Sequence, residues 1–154
     1  MKILCSACLI GENCKYNGGN NYSAALAEYI EFLQSTAEGD GTSVEIIPVC
    51  PEVLGGLPTP RVPAEIVNGI VRTETGTSVD KEFRLGAAKA LHIGLAEKVD
   101  LAVLQSRSPS CGPKEVYDGT FSGTLKAGAG IFAQQLRQAG IRTIDIEDLA
   151  SINL

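Results

Sequence analysis

The chain has 154 residues with a hydrophobic fraction of 44%, a charged fraction of 20% and a formal net charge of −5. This balance is typical of one globular domain with enough apolar residues for a core. An acidic chain without a basic cluster is not expected to bind nucleic acid through its phosphates. No stretch approaches the ~18–20 apolar residues of a membrane span, and the first residues lack the apolar core of a signal peptide, so we expect a cytoplasmic protein without membrane contact.

The first part of the chain predicts two strands and one helix. Residues 2–8 begin with an apolar run and predict a strand that ends in a cysteine-bearing loop. Ser23 is a good N-cap for a helix that runs to about Gln34, and the β-branched run over 44–49 predicts a second strand. Four prolines and two glycines over 50–63 exclude a long regular element there.

The rest of the chain continues the alternation of strands and helices. It predicts a hairpin strand over 66–72, a helix that Asp80 caps and that runs to about Lys98, and a buried strand over 101–104. A Gly-rich segment over 119–130, a helix that ends at Ala139 and a strand over 141–146 follow. This alternation predicts an α/β fold over residues 1–154: a single-domain three-layer sandwich with an open, mostly parallel sheet of the Rossmann-like type.

Five cysteines in a chain expected to be cytoplasmic indicate metal binding or thiol chemistry rather than disulfides. Cys8, Cys50 and Cys111 each follow a predicted strand, and the carboxyl ends of parallel strands share one edge of a sheet. Thiolates select zinc, copper(I) or iron–sulfur clusters, and His92, the only histidine, is predicted within a helix, which leaves a zinc site incomplete. Cys5 and Cys8 also form a Cys-x-x-Cys pair that is typical of redox dithiols, although Cys5 is predicted to be a buried strand residue and Cys14 is not predicted to be a ligand.

Two charged residues lie close to Cys50 in the sequence. Glu52 is two positions beyond Cys50, where a carboxylate can act as a general acid or base. The alternatives are an ordinary Glu at a helix N-terminus and an ion pair in a loop. Arg61 lies between Pro60 and Val62-Pro63, a rigid setting that suits a carboxylate partner. Its alternative role is a structural clamp on Glu65 or Asp118.

Hydroxyl-rich and Gly-rich segments supply the remaining candidates. Ser106, Ser108 and Ser110 surround Cys111 and could donate hydrogen bonds to a cluster or an anionic ligand, although such sequences also form ordinary turns. The segment over 119–130 could cradle an anion at the start of the following helix or come close to a cofactor, but it matches no nucleotide-binding motif. From this segment Gly123 is predicted, with Arg61 and Ser106, to contact substrate.

Four stretches, in this order, resemble the thiouracil desulfurase family, long known only as a bacterial domain of unknown function. They are SACLIG at 6–11, VCPEVLGGL at 49–57 followed by Pro60-Arg61, SPSCG at 108–112 and YDGTFSG at 117–123. The likeness extends over about residues 2–148, so one desulfurase-like domain is expected for the whole chain. One departure is Gln105, which stands where members of the family often have lysine and predicts an altered substrate preference.

The resemblance implies an oxygen-sensitive 4Fe–4S cluster held by three cysteines, which match Cys8, Cys50 and Cys111. It further implies that the iron without a cysteine binds the sulfur of a thiolated nucleobase such as 2-thiouracil, whose C–S bond is hydrolysed with release of hydrogen sulfide. Glu52 falls on the acidic position of the family, and Ser108 and Ser110 fall on its serine-rich loop. We expect these three residues to be catalytic.

Two other functional classes stay open from the sequence. One is a cluster-carrying or iron-sensing protein that catalyses nothing. The other is a cluster-free redox enzyme that uses Cys5 and Cys8 as a dithiol. The expected partner is a small-molecule thiolated base, and the expected assembly is a monomer or a small homo-oligomer.

Overall fold

The protein is described by a computed structural model over residues 1–152. In chain order its elements are β1 (Lys2–Ser6), α1 (Ala24–Asp40), β2 (Glu45–Val49), α2 (Pro51–Leu54), β3 (Ala64–Val67), β4 (Ile70–Thr73), α3 (Asp80–Glu97), β5 (Leu101–Leu104), β6 (Glu115–Tyr117), β7 (Leu125–Ala127), α4 (Ile131–Gln138) and β8 (Thr143–Asp145). Short 3-10 helices follow β1 at Ala7–Ile10 and β8 at Ile146–Ser151.

The centre of the fold is a four-stranded sheet in the order β2-β1-β5-β8, with every neighbouring pair parallel. Ser6 pairs with Val49, and Cys5 pairs with Val103, so β1, β2 and β5 end at the same edge. The predicted α/β fold with an open parallel sheet is thereby confirmed. The shared edge is where ligands bind in sheets of this kind.

Both faces of the sheet are covered, which makes three layers. On one face Leu4 and Leu104 pack with Phe83 of α3 and with residues of α4. On the other face Val103 packs with Leu26 of α1. Burial on both sides explains why β5 consists of four apolar residues, all at most 1% exposed. Within residues 1–152, no helix is both long and apolar enough to cross a membrane.

Several predicted elements have different bounds in the structure. The first helix continues beyond Gln34 to Asp40 and ends at Gly41 in the left-handed conformation, while Ser23 caps it as predicted by accepting a hydrogen bond from Leu26 N. Asp80 is not the N-cap of α3 but its first residue; its carboxylate accepts a hydrogen bond from Val71 N at 3.0 Å. The side chain therefore ties α3 to β4.

Two antiparallel hairpins lie outside the central sheet. Strands β3 and β4 pair around an Asn68-Gly69 turn with positive φ at both residues, so the predicted single strand over 66–72 is two strands. Strands β6 and β7 form the second hairpin, which the Gly-rich pattern over 119–130 did not predict. Each of these two strands has only three residues, too few to show an alternating pattern.

The short helix α2 lies against α3 at unusually close range. A Cβ atom on Gly86 would overlap the carbonyl oxygen of Pro51, and one on Gly55 would overlap the carbonyl oxygen of Glu82. Glycine at both positions lets the two helix backbones touch. This contact holds α2, the residues of which follow Cys50 directly, beside the edge of the sheet.

Candidate active site

A cavity of about 550 Å³ opens at the carboxyl edge of the central sheet. Its floor includes Ser6, Val49 and Gln105, which lie at or just beyond the ends of β1, β2 and β5. All nine residues that the sequence analysis selected line it: Cys8, Cys50, Glu52, Arg61, Ser106, Ser108, Ser110, Cys111 and Gly123. The fold thus brings together residues that are up to 115 positions apart in the chain.

Three thiols reach the cavity from three neighbouring strands. Cys8 lies in the 3-10 helix after β1, Cys50 is the residue before α2, and Cys111 lies in the loop after β5. Asn21 donates a hydrogen bond from Nδ2 to Cys8 Sγ at 3.5 Å. Ser110 Oγ lies 3.7 Å from Cys111 Sγ, but its one proton is directed to the closer Glu52 Oε2, 2.8 Å away. A donor placed on sulfur, like Asn21 on Cys8, stabilises the thiolate.

The loop of residues 108–112 is held by hydrogen bonds at both of its ends. Ser108 Oγ accepts hydrogen bonds from Ser110 N at 3.2 Å and from Cys111 N at 3.0 Å. The first amides of α4 donate to the carbonyl oxygens of Pro109 and Ser110. A Cβ on Gly130 would lie 2.5 Å from the carbonyl carbon of Ser110, so this approach requires glycine. The position of Cys111 is therefore set by backbone contacts rather than by its own side chain.

These contacts correct the expectation that residues 119–130 cradle an anion at the start of the last helix. Gly130, Ile131, Phe132 and Ala133 all donate their amides to carbonyl oxygens of the loop 108–112. The N-terminus of α4 therefore has no free donors for a ligand, because the chain's own carbonyl groups occupy them. Most of the Gly-rich segment forms the β6–β7 hairpin instead.

A carboxylate and two hydroxyls form a hydrogen-bonded chain along the cavity. Ser110 donates from Oγ to Glu52 Oε2 at 2.8 Å, and the hydroxyls of Ser108 and Ser110 are 3.0 Å apart. Glu52 lies in α2, whereas the serines lie in the loop after β5. Such a chain can hold a proton or pass it between oxygens without a large movement of side chains.

Arg61 is engaged entirely with the protein. It donates from Nε to Glu52 Oε1 at 3.1 Å and from Nη2 to the carbonyl oxygen of Cys14 at 2.7 Å, while Nη1 contacts Pro58 O and Thr59 Oγ1. The side chains of Arg61 and Glu52 are only 7% and 16% exposed. The proposed clamp on Glu65 or Asp118 is wrong, since Arg61 pairs with Glu52; this pairing orients the Glu52 carboxylate.

The thiols differ in their acidity. Burial raises the pKa of Cys5 to about 12, and burial also raises the pKa values of Cys8 and Cys111. A side-chain hydrogen bond from Cys14 lowers the pKa of Cys50 to about 7. Cys5 is fully buried in β1 and does not line the cavity, so the structure gives no support to a reactive Cys5–Cys8 dithiol.

The donor set of the cavity fits an iron–sulfur cluster better than a single metal ion. Within residues 1–152, no three His, Cys, Asp or Glu side chains converge closely enough to hold one ion. A cluster has several irons, so its thiolate ligands bind different metal atoms and need not meet at one point. Three soft cysteine ligands that line one cavity, with a hydrogen-bond donor from Asn21 on the sulfur of Cys8, satisfy that requirement.

Several residues that line the cavity were not selected from the sequence. Cys14 lies beside Cys50, with its carbonyl oxygen 3.9 Å from Cys50 Sγ. Glu65, Tyr117 and Phe121 belong to the two hairpins and line the same cavity. The YDGTFSG stretch contained a signal for two of them, because it places the aromatic residues Tyr117 and Phe121 four positions apart in a Gly-rich segment with no apolar periodicity.

The chain is similar over almost its whole length to known proteins. A sequence profile of the 2-thiouracil desulfurase family matches residues 3–148. The chain is 35% identical over 160 residues to the uncharacterized protein YbbK of Bacillus subtilis (strain 168), with 97% of this chain and 99% of that protein covered. A solved structure of the 4Fe-4S-dependent thiouracil desulfidase TudS matches with a TM-score of 0.82 and 38% identity, covering 97% of this chain and 93% of that one. The chain therefore belongs to the 2-thiouracil desulfurase family, and it is an enzyme that cleaves a C–S bond.

Proposed function

We propose that this enzyme is a 4Fe–4S-dependent desulfurase that hydrolyses the C–S bond of a thiolated nucleobase such as 2-thiouracil. Cys8, Cys50 and Cys111 would hold the cluster. One observation carries the proposal: three thiols from adjacent strand ends line the same cavity as the hydrogen-bonded pair Glu52 and Ser110. The similarity to TudS, a desulfidase that depends on a 4Fe–4S cluster and acts on thiouracil, supports the same assignment.

The cluster, when bound, would supply a Lewis acid for the sulfur of the substrate. The residues of the chain supply the proton transfers. The reaction replaces C=S by C=O and converts one water into hydrogen sulfide, so both protons of the water end on sulfur. Glu52 takes the first proton as the water oxygen attacks the thiocarbonyl carbon, and it returns this proton to the sulfur. It then takes the second proton from the carbon-bound hydroxyl as the C=O bond forms and the C–S bond breaks, and it delivers this proton to the released HS⁻.

The serine hydroxyls support the same step. Ser110 donates to Glu52 and thereby holds the carboxylate in one orientation, while Arg61 holds its other oxygen. Ser108 lies next to Ser110, and its hydroxyl proton would turn from Ser110 Oγ towards the negative charge that develops on the substrate. Efficient proton transfer requires a well-oriented base, and donors on both carboxylate oxygens of Glu52 provide this orientation.

Anaerobic reconstitution with iron and sulfide tests the proposal. The wild-type protein should become brown, contain about four irons per chain and release sulfide from 2-thiouracil with formation of uracil. Cys8→Ser, Cys50→Ser and Cys111→Ser should each lose the visible absorption and the activity. Cys5→Ala is the matched control, because Cys5 is buried in β1 and does not line the cavity, and this variant should keep both. A colourless wild-type protein, or a Cys50→Ser variant with full iron content, would contradict the proposal.

A further inference from the structure

The backbone at Phe121 has a conformation that an aromatic residue rarely adopts. Among residues 1–152 four non-glycine residues have positive φ: Asn68, Lys98, Arg107 and Phe121. The first lies in a hairpin turn and the second caps α3, both of which are ordinary left-handed positions. Arg107 extends to Glu147, with Nη2 2.7 Å from Oε1. Phe121, at φ 56°, has no such explanation within its own hairpin.

Hydrogen bonds to a carboxylate of the neighbouring hairpin hold the loop in this conformation. Glu65 in β3 accepts hydrogen bonds at Oε1 from Gly119 N at 3.0 Å and from Phe121 N at 3.2 Å. Within the loop, Thr120 N donates to Asp118 Oδ1 at 2.9 Å and Asp118 N donates to Thr124 O. The loop is thus closed on itself and anchored to the other hairpin through one carboxylate. Local strain that the surroundings maintain is a frequent property of functional sites.

The anchored loop places Phe121 at the cavity. Phe121 is half-buried and lines the same space as Cys8, Cys50 and Cys111, together with Tyr117 and Glu65. The rest of the lining includes thiols, hydroxyls and the Glu52 carboxylate. Of the three aromatic side chains that line the cavity within the described residues, Tyr16, Tyr117 and Phe121, only Phe121 has no hydroxyl group. Its ring therefore offers a flat apolar surface beside these polar groups.

We propose that Phe121 is the stacking platform for the ring of the substrate and that Glu65 is the positioning residue that sets it. The inference rests on the proposed function and narrows it: the enzyme selects planar aromatic thiolated heterocycles over saturated or open-chain thioamides. A nucleobase presents a π-face of matching size, and stacking of one base on one aromatic side chain is worth about 1–3 kcal/mol on alanine substitution. That range corresponds to about 5- to 150-fold in affinity.

Equilibrium binding of the product base gives a test that does not depend on turnover. Uracil and dihydrouracil carry the same polar groups, but only uracil is flat and aromatic. We expect the reconstituted wild-type enzyme to bind uracil more tightly, and Phe121→Leu to reduce that preference by about 5-fold or more while Phe121→Trp retains it. Phe32→Leu is the control, since Phe32 is 66% exposed on α1 and does not line the cavity.

A fluorescent reporter adds an independent measurement. The chain contains no tryptophan, so Phe121→Trp and Phe32→Trp each introduce a single tryptophan whose fluorescence can be excited selectively. Uracil should quench the tryptophan at position 121 with the same dissociation constant that calorimetry gives, and it should leave the tryptophan at position 32 unaffected. Quenching at neither position, combined with uracil binding by calorimetry, would overturn the stacking role.

The role of Glu65 is tested by measuring separately how its substitution changes KM and kcat for 2-thiouracil. Glu65→Ala removes the acceptor of both amides, so KM for 2-thiouracil should rise by about the same factor as in Phe121→Leu, with kcat and the cluster spectrum unchanged. Glu65→Gln keeps a carbonyl oxygen as acceptor and should restore most of the wild-type KM. A fall in kcat with unchanged KM in Glu65→Ala would overturn the positioning role.

The outcomes separate this inference from the proposed function. If the wild-type enzyme releases sulfide from 2-thiouracil but Phe121→Leu keeps the wild-type preference for uracil, the inference is wrong and the proposed function stands. If the wild-type enzyme neither desulfurates a thiolated base nor binds uracil, both are wrong.

Discussion

The cavity has two walls that are built in different ways. The strand-end wall, which carries Cys8, Cys50, Cys111, Glu52 and Ser110, is formed by segments that leave the central parallel sheet. The hairpin wall carries Glu65, Tyr117 and Phe121 and is formed by two small antiparallel sheets. The strand-end wall is positioned by the core and by the amides of α4, whereas the loop that carries Phe121 is anchored largely through one carboxylate.

On the proposed function, this difference separates chemistry from recognition. The groups that we propose to hold the cluster and move protons lie on the part of the fold that the core and α4 position, where small displacements are costly. The groups that we propose to contact the rest of the substrate lie on short hairpins, which open more readily and tolerate exchange of residues. We therefore expect substitutions in the strand-end wall to abolish function and substitutions in the hairpin wall to change which substrate is used.

The largest expected effect comes from the carboxylate of the strand-end wall. Glu52→Gln removes the base but keeps the size of the side chain and can still contact Ser110 and Arg61. Turnover of 2-thiouracil should fall by about 100- to 10,000-fold, the usual contribution of a general acid–base group. Glu97→Gln, at the far end of α3, is the control. Unchanged turnover in Glu52→Gln with an intact cluster spectrum would remove Glu52 from the mechanism.

A second prediction compares two helical glycines. Gly86→Ala forces a methyl group against the backbone of α2 and should lower the free energy of unfolding by about 1–3 kcal/mol, together with the iron content of the reconstituted protein. Gly39→Ala in α1 meets no atom within 4 Å and should raise the stability by up to about 1 kcal/mol. Urea denaturation measures both. Equal effects of the two substitutions would show that α2 does not depend on its contact with α3.

A third, smaller effect distinguishes the hydroxyls of the two walls. Ser108→Ala leaves the amides of Ser110 and Cys111 without their acceptor and should cost about 1–2 kcal/mol of stability, the range found when capping hydroxyls are removed. Thr120→Ala removes a hydroxyl from the exposed loop of the hairpin wall and should leave the denaturation midpoint nearly unchanged. A larger shift for Thr120→Ala would reverse the comparison between the walls.

The smallest expected effect is a shift in thiol acidity in the cluster-free protein. The pKa of Cys50 is lowered to about 7, so its alkylation by iodoacetamide should rise about tenfold per pH unit below 7 and level off above it. Cys14→Ala removes the hydrogen bond that causes the lowering and should move this midpoint upwards. Cys111, whose pKa is raised by burial, should react more slowly throughout. Mass spectrometry of the alkylated peptides identifies each site.

Much of the strand-end wall could be predicted from sequence. The runs at β1 and β5 are apolar because these central strands are buried on both faces, whereas β2 is a β-branched edge strand. A cysteine follows each run within seven residues. Parallel strands end at one edge, so the approach of Cys8, Cys50 and Cys111 follows from the order of the elements alone. The resemblance of four short stretches to the desulfurase family added the chemistry.

Contacts between irregular segments could not be predicted, because these segments have no hydrophobic periodicity. The pairing of Arg61 with Glu52, the approach of Cys14 to Cys50 and the bonds from α4 to the loop 108–112 each join irregular segments. None of these segments has a periodicity that indicates its neighbour. For the same reason the helix start that was expected to bind an anion binds carbonyl oxygens of the chain instead.

The sequence by itself determined the α/β fold, the common edge of the cysteine-bearing loops and the family. The reason is that buried strands and helices require apolar residues at regular positions, and this pattern can be recognised within each segment of the sequence. Only the tertiary structure decided how the cavity is closed. The carboxylate of Glu65 and the amide of Phe121 are 56 positions apart, and their contact depends on how two hairpins dock outside the sheet. Such docking depends on a few side chains whose partners are not specified by any local pattern.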